Sequence, residues 1–121
     1  DGRTLQEEVA LVAAALKTTE TRLGLLILQD HLLALQGDPA PRIPVLQEIV
    51  TRAEGRTWRS FYSNPLYRAY PTLLALLAAA DPKAAAALRG RAVEHLEGLK
   101  KGTEGWDLEK IQETLDRMRG L

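Results

Sequence analysis

The stretch Leu23-Gly-Leu-Leu-Ile-Leu-Gln-Asp-His-Leu-Leu-Ala-Leu35 contains eight large aliphatic residues in thirteen positions. At about 100° per residue these side chains fall on every side of a helix, and the polar residues between them form no polar face. A helix that is apolar all round is buried in a core or a membrane, and this one is shorter than the roughly 20 residues that span a bilayer. We therefore predict an all-α fold, a compact bundle of five or six helices around this central apolar helix at about residues 20–36.

Length and composition predict a globular protein without cysteine chemistry. The 121 residues predict a single helical domain over residues 1–121, and the 16 basic and 16 acidic side chains cancel. The absence of cysteine excludes disulfides, thiolate metal sites and a thiol nucleophile. With no signal-peptide pattern and no stretch long enough to span a bilayer, we expect a cytoplasmic protein that has no membrane partner.

Three local motifs predict helix boundaries. Thr4 followed by Glu7 is a capping box, in which each side chain satisfies a free backbone N–H, so helix one starts there and runs to about Lys17. Asp81-Pro82 combines an N-cap acceptor with a proline, whose missing N–H costs nothing at the first helical position. Gly102 ends that helix, because glycine adopts the left-handed conformation common after a helix.

Apolar periodicity places the remaining helices. The pattern predicts a third helix over residues 44–54 and a short apolar helix over residues 72–80, because the Tyr70-Pro71 pair favours a turn or a kink before it. Trp106 is expected to pack onto Ile111 as a hydrophobic staple. The inward positions of the third and last helices are Leu46, Ile49, Val50 and Ala53, and Leu108, Ile111, Leu115 and Met118.

Residues 56–70, the basic–aromatic segment, carry the strongest functional signal in the sequence. They hold five of the six aromatic residues of the chain, and no acidic residue occurs between Gly55 and Ala80. Arginine provides a cationic fork for acidic groups, and aromatic rings are common anchors of protein interfaces. We therefore predict a non-enzymatic interaction module, such as a small subunit, adaptor or regulatory domain, that binds a partner protein. The predicted contact residues are Arg56, Trp58, Arg59, Tyr62, Tyr67 and Arg68.

Other interpretations of the basic–aromatic segment remain open. The same arginines and rings suit a single-stranded nucleic acid, whose phosphates and bases they would contact, so a nucleic-acid-binding small subunit is the first alternative. The rings of Trp58, Phe61 and Tyr67 alternatively fill the core while the arginines are solvated. A pocket for an uncharged ligand and association with a second copy of the chain are further alternatives.

The two histidines, His31 and His95, have no acidic residue or second histidine three or four positions away on the same helix, so we predict no metal site, no cofactor and no catalytic residue. Asp30 beside His31 would be costly to bury alone, and we expect a hydrogen-bonded partner such as an arginine of a neighbouring helix.

One short motif resembles a known enzyme family. Arg89-Gly-Arg-Ala-Val-Glu-His95 is similar to the Arg-x(4–6)-His motif of HEPN ribonucleases, which are helical bundles of about this size. The resemblance implies RNA cleavage at an interface between two protomers and makes a HEPN-like ribonuclease the second alternative. Gly90 departs from the family, where a polar residue follows the arginine.

Overall fold

The structure, a computed structural model, describes residues 4–18 and 23–120. These residues form six α-helices and one 3₁₀ turn, and no strand occurs among them, which confirms the predicted all-α class and number of helices. The elements are α1 (Leu5–Thr18), α2 (Leu23–Gln36), α3 (Arg42–Glu54), the 3₁₀ turn (Phe61–Ser63), α4 (Leu66–Ala80), α5 (Pro82–Lys100) and α6 (Gly105–Gly120). None of the helices in the described residues is long and apolar enough to cross a membrane.

The chain divides into two compact units, Asp1–Arg52 and Ala53–Leu121. The single domain predicted over residues 1–121 stays a prediction. In unit one, α1 packs against α2. The predicted capping box is confirmed at the start of α1, where the Glu7 N–H donates to Thr4 Oγ1 at 3.1 Å and the Thr4 N–H donates to Glu7 Oε1 at 3.4 Å.

An ion pair inside unit one holds Asp30, the acidic residue of α2. Arg42 Nε donates to Asp30 Oδ1 at 2.8 Å, and Arg42 Nη2 donates to Asp30 Oδ2 at 3.2 Å. This fork-to-fork geometry is the strongest arrangement available to the two side chains, and it raises the pKa of Arg42, mainly through the hydrogen bond to Asp30. The expected arginine partner of Asp30 is thereby confirmed.

The prediction that α2 is buried on all sides is wrong. Its buried residues are Leu23, Leu26 and Leu33, whereas Leu28 is 44 % exposed and Leu35 is 61 % exposed. The helical wheel identified an apolar helix correctly, but composition alone does not supply neighbours for every face of it. The predicted start near residue 20 lies outside the described residues.

The third helix matches its predicted core face. α3 begins at Arg42, two residues before the expected start, because the N–H of Arg42 donates to the carbonyl of Pro39 at 3.1 Å and so starts the turn earlier. The preceding turn is held by Asp38, whose Oδ1 accepts from the N–H of Ala40 at 3.1 Å. The four residues predicted to point inward, Leu46, Ile49, Val50 and Ala53, are all buried.

In unit two, α4 packs against both α5 and α6, and α5 packs against α6. The predicted helix over residues 72–80 is too short, since α4 begins at Leu66 and continues through Pro71. A proline inside a helix removes one backbone hydrogen bond. That cost is outweighed here because seven α4 residues are buried, among them Leu66, Leu73 and Leu74.

The boundaries of α5 follow the sequence signals, whereas the expectation that Asp107 caps the last helix is wrong, since α6 begins at Gly105. Asp81 Oδ1 accepts from the N–H of Ala84 at 3.1 Å with Pro82 at the start of α5, and Gly102, just past the end of α5, has φ +78°. On α6, Ile111, Leu115 and Met118 are buried as predicted. The expected packing of Trp106 onto Ile111 is wrong, since Trp106 is 75 % exposed.

Candidate interaction surface

The loop before the 3₁₀ turn is held by side-chain hydrogen bonds. Trp58 Nε1 donates to the carbonyl of Ala53 at 2.9 Å, which ties the loop back to the end of α3. Ser60 Oγ accepts from the N–H of Tyr62 at 3.1 Å and donates to Asp107 Oδ1 of α6 at 2.9 Å. The segment is therefore a fixed platform on α6, although it contains little regular structure.

Two side chains of the basic–aromatic segment, Phe61 and Asn64, are buried inside unit two. The ring of Phe61 is buried and meets Tyr67 edge to face, with 6.4 Å between the ring centroids. Asn64 is buried as well, and its Oδ1 accepts from the N–H of Leu66 at 3.0 Å, which organises the first turn of α4. These contacts orient Tyr67 from below, so its ring position is determined by packing.

Tyr62, Tyr67 and Lys110 form a contact group that we name the tyrosine–lysine cluster. Lys110 Nζ of α6 donates to the Tyr67 hydroxyl at 2.8 Å, and this hydrogen bond is the main cause of the raised pKa of Lys110. The same ammonium lies 4.3 Å from the ring centroid of Tyr67 and 5.6 Å from that of Tyr62, within cation–π range. Tyr62 is 57 % exposed, so the cluster presents a ring with a fixed cation beside it to solvent.

The three arginines of the basic–aromatic segment all lack a carboxylate partner among the described residues. Arg56, Arg59 and Arg68 are exposed, and their guanidinium groups make no hydrogen bond or ion pair with any residue the structure describes. Elsewhere among the described residues, Arg42, Arg52, Arg91 and Arg119 are paired with a carboxylate, whereas Arg89 and Arg117 are in no ion pair. The segment therefore keeps its positive charge available.

The structure brings together some of the six predicted contact residues. Tyr62 and Tyr67 both contact Lys110. Arg56, Arg59 and Arg68 are exposed and share with these tyrosines only proximity in the sequence. Trp58 is half-buried and its indole is hydrogen-bonded to the Ala53 carbonyl, and its role as a partner contact stays a prediction. Phe61 belongs to the core, as the alternative interpretation of the rings expected.

Sequence reasoning missed two residues of α6. Lys110 is separated from Tyr67 by 43 positions in the chain, and no local pattern indicates that pairing. Trp106 lies four residues before Lys110 and is exposed, and residues four apart share one side of a helix. The only available signal was that Trp106 falls outside the Leu108–Ile111–Leu115–Met118 stripe.

A separate polar network in unit two includes part of the HEPN-like motif. The Tyr70 hydroxyl donates to Glu54 Oε2 at 2.5 Å, and Arg91 Nε donates to Glu54 Oε1 at 2.8 Å. Burial, reinforced by the hydrogen bond to Glu54, raises the pKa of Tyr70 well above its usual range. The ring of His95 packs edge to face against Tyr70. Two polar residues of the motif thus have structural partners, and the ribonuclease alternative stays a prediction.

Among the residues described, no group of three or more His, Asp or Glu side chains is arranged to hold a metal ion. No protein family, curated protein or solved structure matches this chain. Its function must therefore be inferred from the chemistry of its own side chains.

Proposed function

We propose that this protein is a non-enzymatic interaction module that binds an acidic segment of a partner protein through the tyrosine–lysine cluster and the three unpaired arginines. The observation that carries the proposal is the unpaired state of Arg56, Arg59 and Arg68, within the described residues, together with a cation held between two tyrosines. An acidic segment would place carboxylates on the arginines and an apolar side chain on the Tyr62 ring.

Two side chains of the tyrosine–lysine cluster are already ordered, so binding a partner costs them little conformational entropy. Lys110 is already held by the Tyr67 hydroxyl, and Tyr67 is oriented by Phe61, so neither side chain has to be ordered by the partner. Tyrosine loses few rotatable bonds on contact, which is why it is frequent in binding surfaces. The partner therefore meets a preformed anchor, and the exposed arginines of the same segment add positive charge.

Charge supports a protein partner over a nucleic acid. Basic and acidic side chains are equal in number over the whole chain, whereas dedicated nucleic-acid binders usually carry an excess of positive charge. Two carboxylates also lie close to the cluster: Glu113 is 3.4 Å from Lys110 Nζ, and Asp107 accepts from Ser60. This negative charge opposes a continuous phosphate backbone, and it requires an acidic peptide to place its carboxylates on the arginines and away from Glu113 and Asp107.

The test measures binding of two defined probes, a short Glu-rich peptide carrying one tryptophan and an oligo-deoxythymidine, by fluorescence anisotropy at physiological salt. The peptide should bind, and Tyr62→Ala should weaken it by about 1 to 2 kcal/mol, as expected for an anchor residue. The triple variant Arg56→Ala/Arg59→Ala/Arg68→Ala should weaken it by about 1 kcal/mol, since exposed ion pairs contribute little each.

A charge-matched control removes three cations from outside the segment, as Arg52→Ala/Lys83→Ala/Lys101→Ala, and should leave peptide affinity nearly unchanged. Tighter binding of the oligonucleotide, with a salt dependence that falls by about one unit of slope per arginine removed, would assign the surface to nucleic acid and overturn the proposal. Failure of the peptide to bind at millimolar concentration would also contradict it.

A further inference from the structure

The exposed side of α2 carries leucines at the spacing of a helix–helix seam. Leu25, Leu28, Leu32 and Leu35 follow steps of three, four and three residues, which is the a/d pattern of a heptad repeat. Leu28 and Leu35 are exposed, and Leu25 and Leu32 are half-buried. We name these four residues the leucine seam.

The leucine seam does not belong to the buried side of its helix. At about 100° per residue, Leu28 and Leu35 lie roughly 160° around α2 from the buried Leu26 and Leu33. Soluble proteins rarely leave several large aliphatic side chains together at the surface, and contiguous apolar patches usually mark an interaction site. The side of α2 opposite its buried residues is therefore apolar enough to be an interaction site.

The flanks of the leucine seam indicate which partner covers it. Positions beside an a/d seam select partners by charge, and here they are Gly24, Gln29, His31 and Gln36, none of which is a lysine, arginine, aspartate or glutamate. The one acidic residue of α2, Asp30, is paired with Arg42. A second copy of α2 would meet no like charge across a two-fold axis, and a charged partner would find nothing to pair with.

The small size of the seam favours a weak and reversible association. α2 has 14 residues and is about 21 Å long, so a pair of α2 helices buries less than the roughly 800 Å² per partner of a standard interface. Forming a short helix from an unfolded segment costs free energy. Because α2 is already folded against α1, that cost does not oppose pairing. The expected product is a reversible dimer that dissociates in roughly the micromolar to hundreds-of-micromolar range.

We propose that two copies of this chain associate through the leucine seams of their α2 helices. The dimer is isologous: the same four leucines of each protomer face those of the other. It uses unit one and is independent of the tyrosine–lysine cluster in unit two, so failure of the proposed peptide binding would leave it standing.

Sedimentation equilibrium of the full chain over a concentration series tests the dimer. The parent should convert from monomer to dimer as concentration rises, and the double variant Leu28→Glu/Leu35→Glu should weaken association by at least about tenfold, because it places like charges in the seam. Leu11→Glu is the matched control, since Leu11 is a similarly exposed leucine on α1, outside the seam. It should associate as the parent does.

A mixing experiment separates loss of pairing from loss of folding. Leu28→Lys/Leu35→Lys should be monomeric alone and should form a heterodimer when mixed with Leu28→Glu/Leu35→Glu, since opposite charges then face each other. A parent that remains monomeric up to about 1 mM, above the whole expected range of dissociation constants, would overturn the proposal and leave the seam to another occupant. Undiminished association of the glutamate variant, or no heterodimer in the mixture, would overturn it too.

Discussion

α2 and α4 are leucine-rich helices of nearly equal length, 14 and 15 residues, yet they have opposite surroundings. α4 buries seven residues and leaves mainly small or polar positions exposed, including Arg68, Ala75 and Ala79. α2 buries three and exposes three large aliphatic residues, among them Leu28 and Leu35. An apolar helix becomes the centre of a unit only where neighbouring helices cover it, as α5 and α6 cover α4. The residues on its least buried face therefore indicate whether a helix is central better than its total number of leucines does.

Each of the two helices also has a buried or half-buried polar side chain that is hydrogen-bonded within its own unit. In α2 it is Asp30, paired with Arg42 inside unit one, and in α4 it is Tyr70, bonded to Glu54 inside unit two. Both bonds satisfy a group that would be costly to bury without a partner. Substitutions at the leucines and at these polar groups therefore test whether α2 and α4 have these different surroundings.

The largest effect is expected in the covered helix. Leu74→Ala in α4 should lower the free energy of unfolding by roughly 2 to 5 kcal/mol, because a fully buried leucine leaves a cavity as well as losing its burial. Urea denaturation at low protein concentration measures it. A loss below about 1 kcal/mol, smaller than core truncations cause, would mean that α4 is not a central helix of unit two.

The next effect concerns the ion pair of α2. Asp30→Asn should destabilise by about 1 to 3 kcal/mol, because it leaves the half-buried guanidinium of Arg42 without its charged acceptor. Glu48→Gln, which breaks the more exposed Glu48–Arg52 pair in the same unit, is the control and should cost about 0.5 kcal/mol or less. Equal losses in the two variants would contradict the structural role given to Asp30.

A smaller effect is expected at the polar group of α4. Tyr70→Phe should cost about 0.5 to 1.5 kcal/mol at neutral pH, the usual value of one hydrogen bond. Because the folded-state pKa of Tyr70 is raised above the unfolded value of about 10, its contribution is complete below pH 10 and declines as pH rises further and the unfolded chain ionises.

The pH dependence provides the check. Thermal or urea unfolding measured on both sides of pH 10 should show a steeper alkaline loss of stability for the parent than for Tyr70→Phe. Lys110 also has a raised pKa, and it contributes an alkaline loss to both proteins, so the difference between the two curves isolates Tyr70. Parallel curves would show that Tyr70 keeps its ordinary pKa in the folded chain.

The smallest effect is expected on the exposed side of α2. Leu28→Ala should change the free energy of unfolding by about 0.5 kcal/mol or less under dilute conditions, since surface substitutions rarely do more. Leu26→Ala, two positions earlier on the buried side, is the matched partner and should cost several times as much. Similar costs for the two would indicate a helix that is buried on every side.

Local chemistry made much of the fold predictable. Three helix boundaries lie where the sequence predicted them, because caps and turns depend on residues that are close in the chain. They are the starts at Thr4–Glu7 and Asp81–Pro82 and the end at Gly102. The early start of α4 was missed because Pro71 favours a break locally, while burial on both sides of that position keeps the helix continuous. The exposure of α2 was missed because the number of neighbours around a helix is a tertiary property.

The candidate site was only partly predictable for the same reason. The segment that holds Tyr62 and Tyr67 could be recognised from composition, but the cation between their rings comes from α6. Tryptophan is a common interface anchor, but the indole of Trp58 also donates a hydrogen bond to the Ala53 carbonyl and so holds the loop. Residue type thus indicates what a side chain can do, and its partners decide which of those uses occurs.

The two tryptophans of the chain also make the protein its own optical reporter. The indole of Trp58 is hydrogen-bonded and half-buried, whereas that of Trp106 is open to solvent one helical turn from Lys110. Their fluorescence should therefore separate, with red-shifted, acrylamide-quenchable emission from Trp106 and shielded emission from Trp58. Trp106→Phe leaves a probe of the loop after α3, and Trp58→Phe leaves a probe of the α6 side that carries Lys110. Ligand binding at either place can then be followed without attaching a dye.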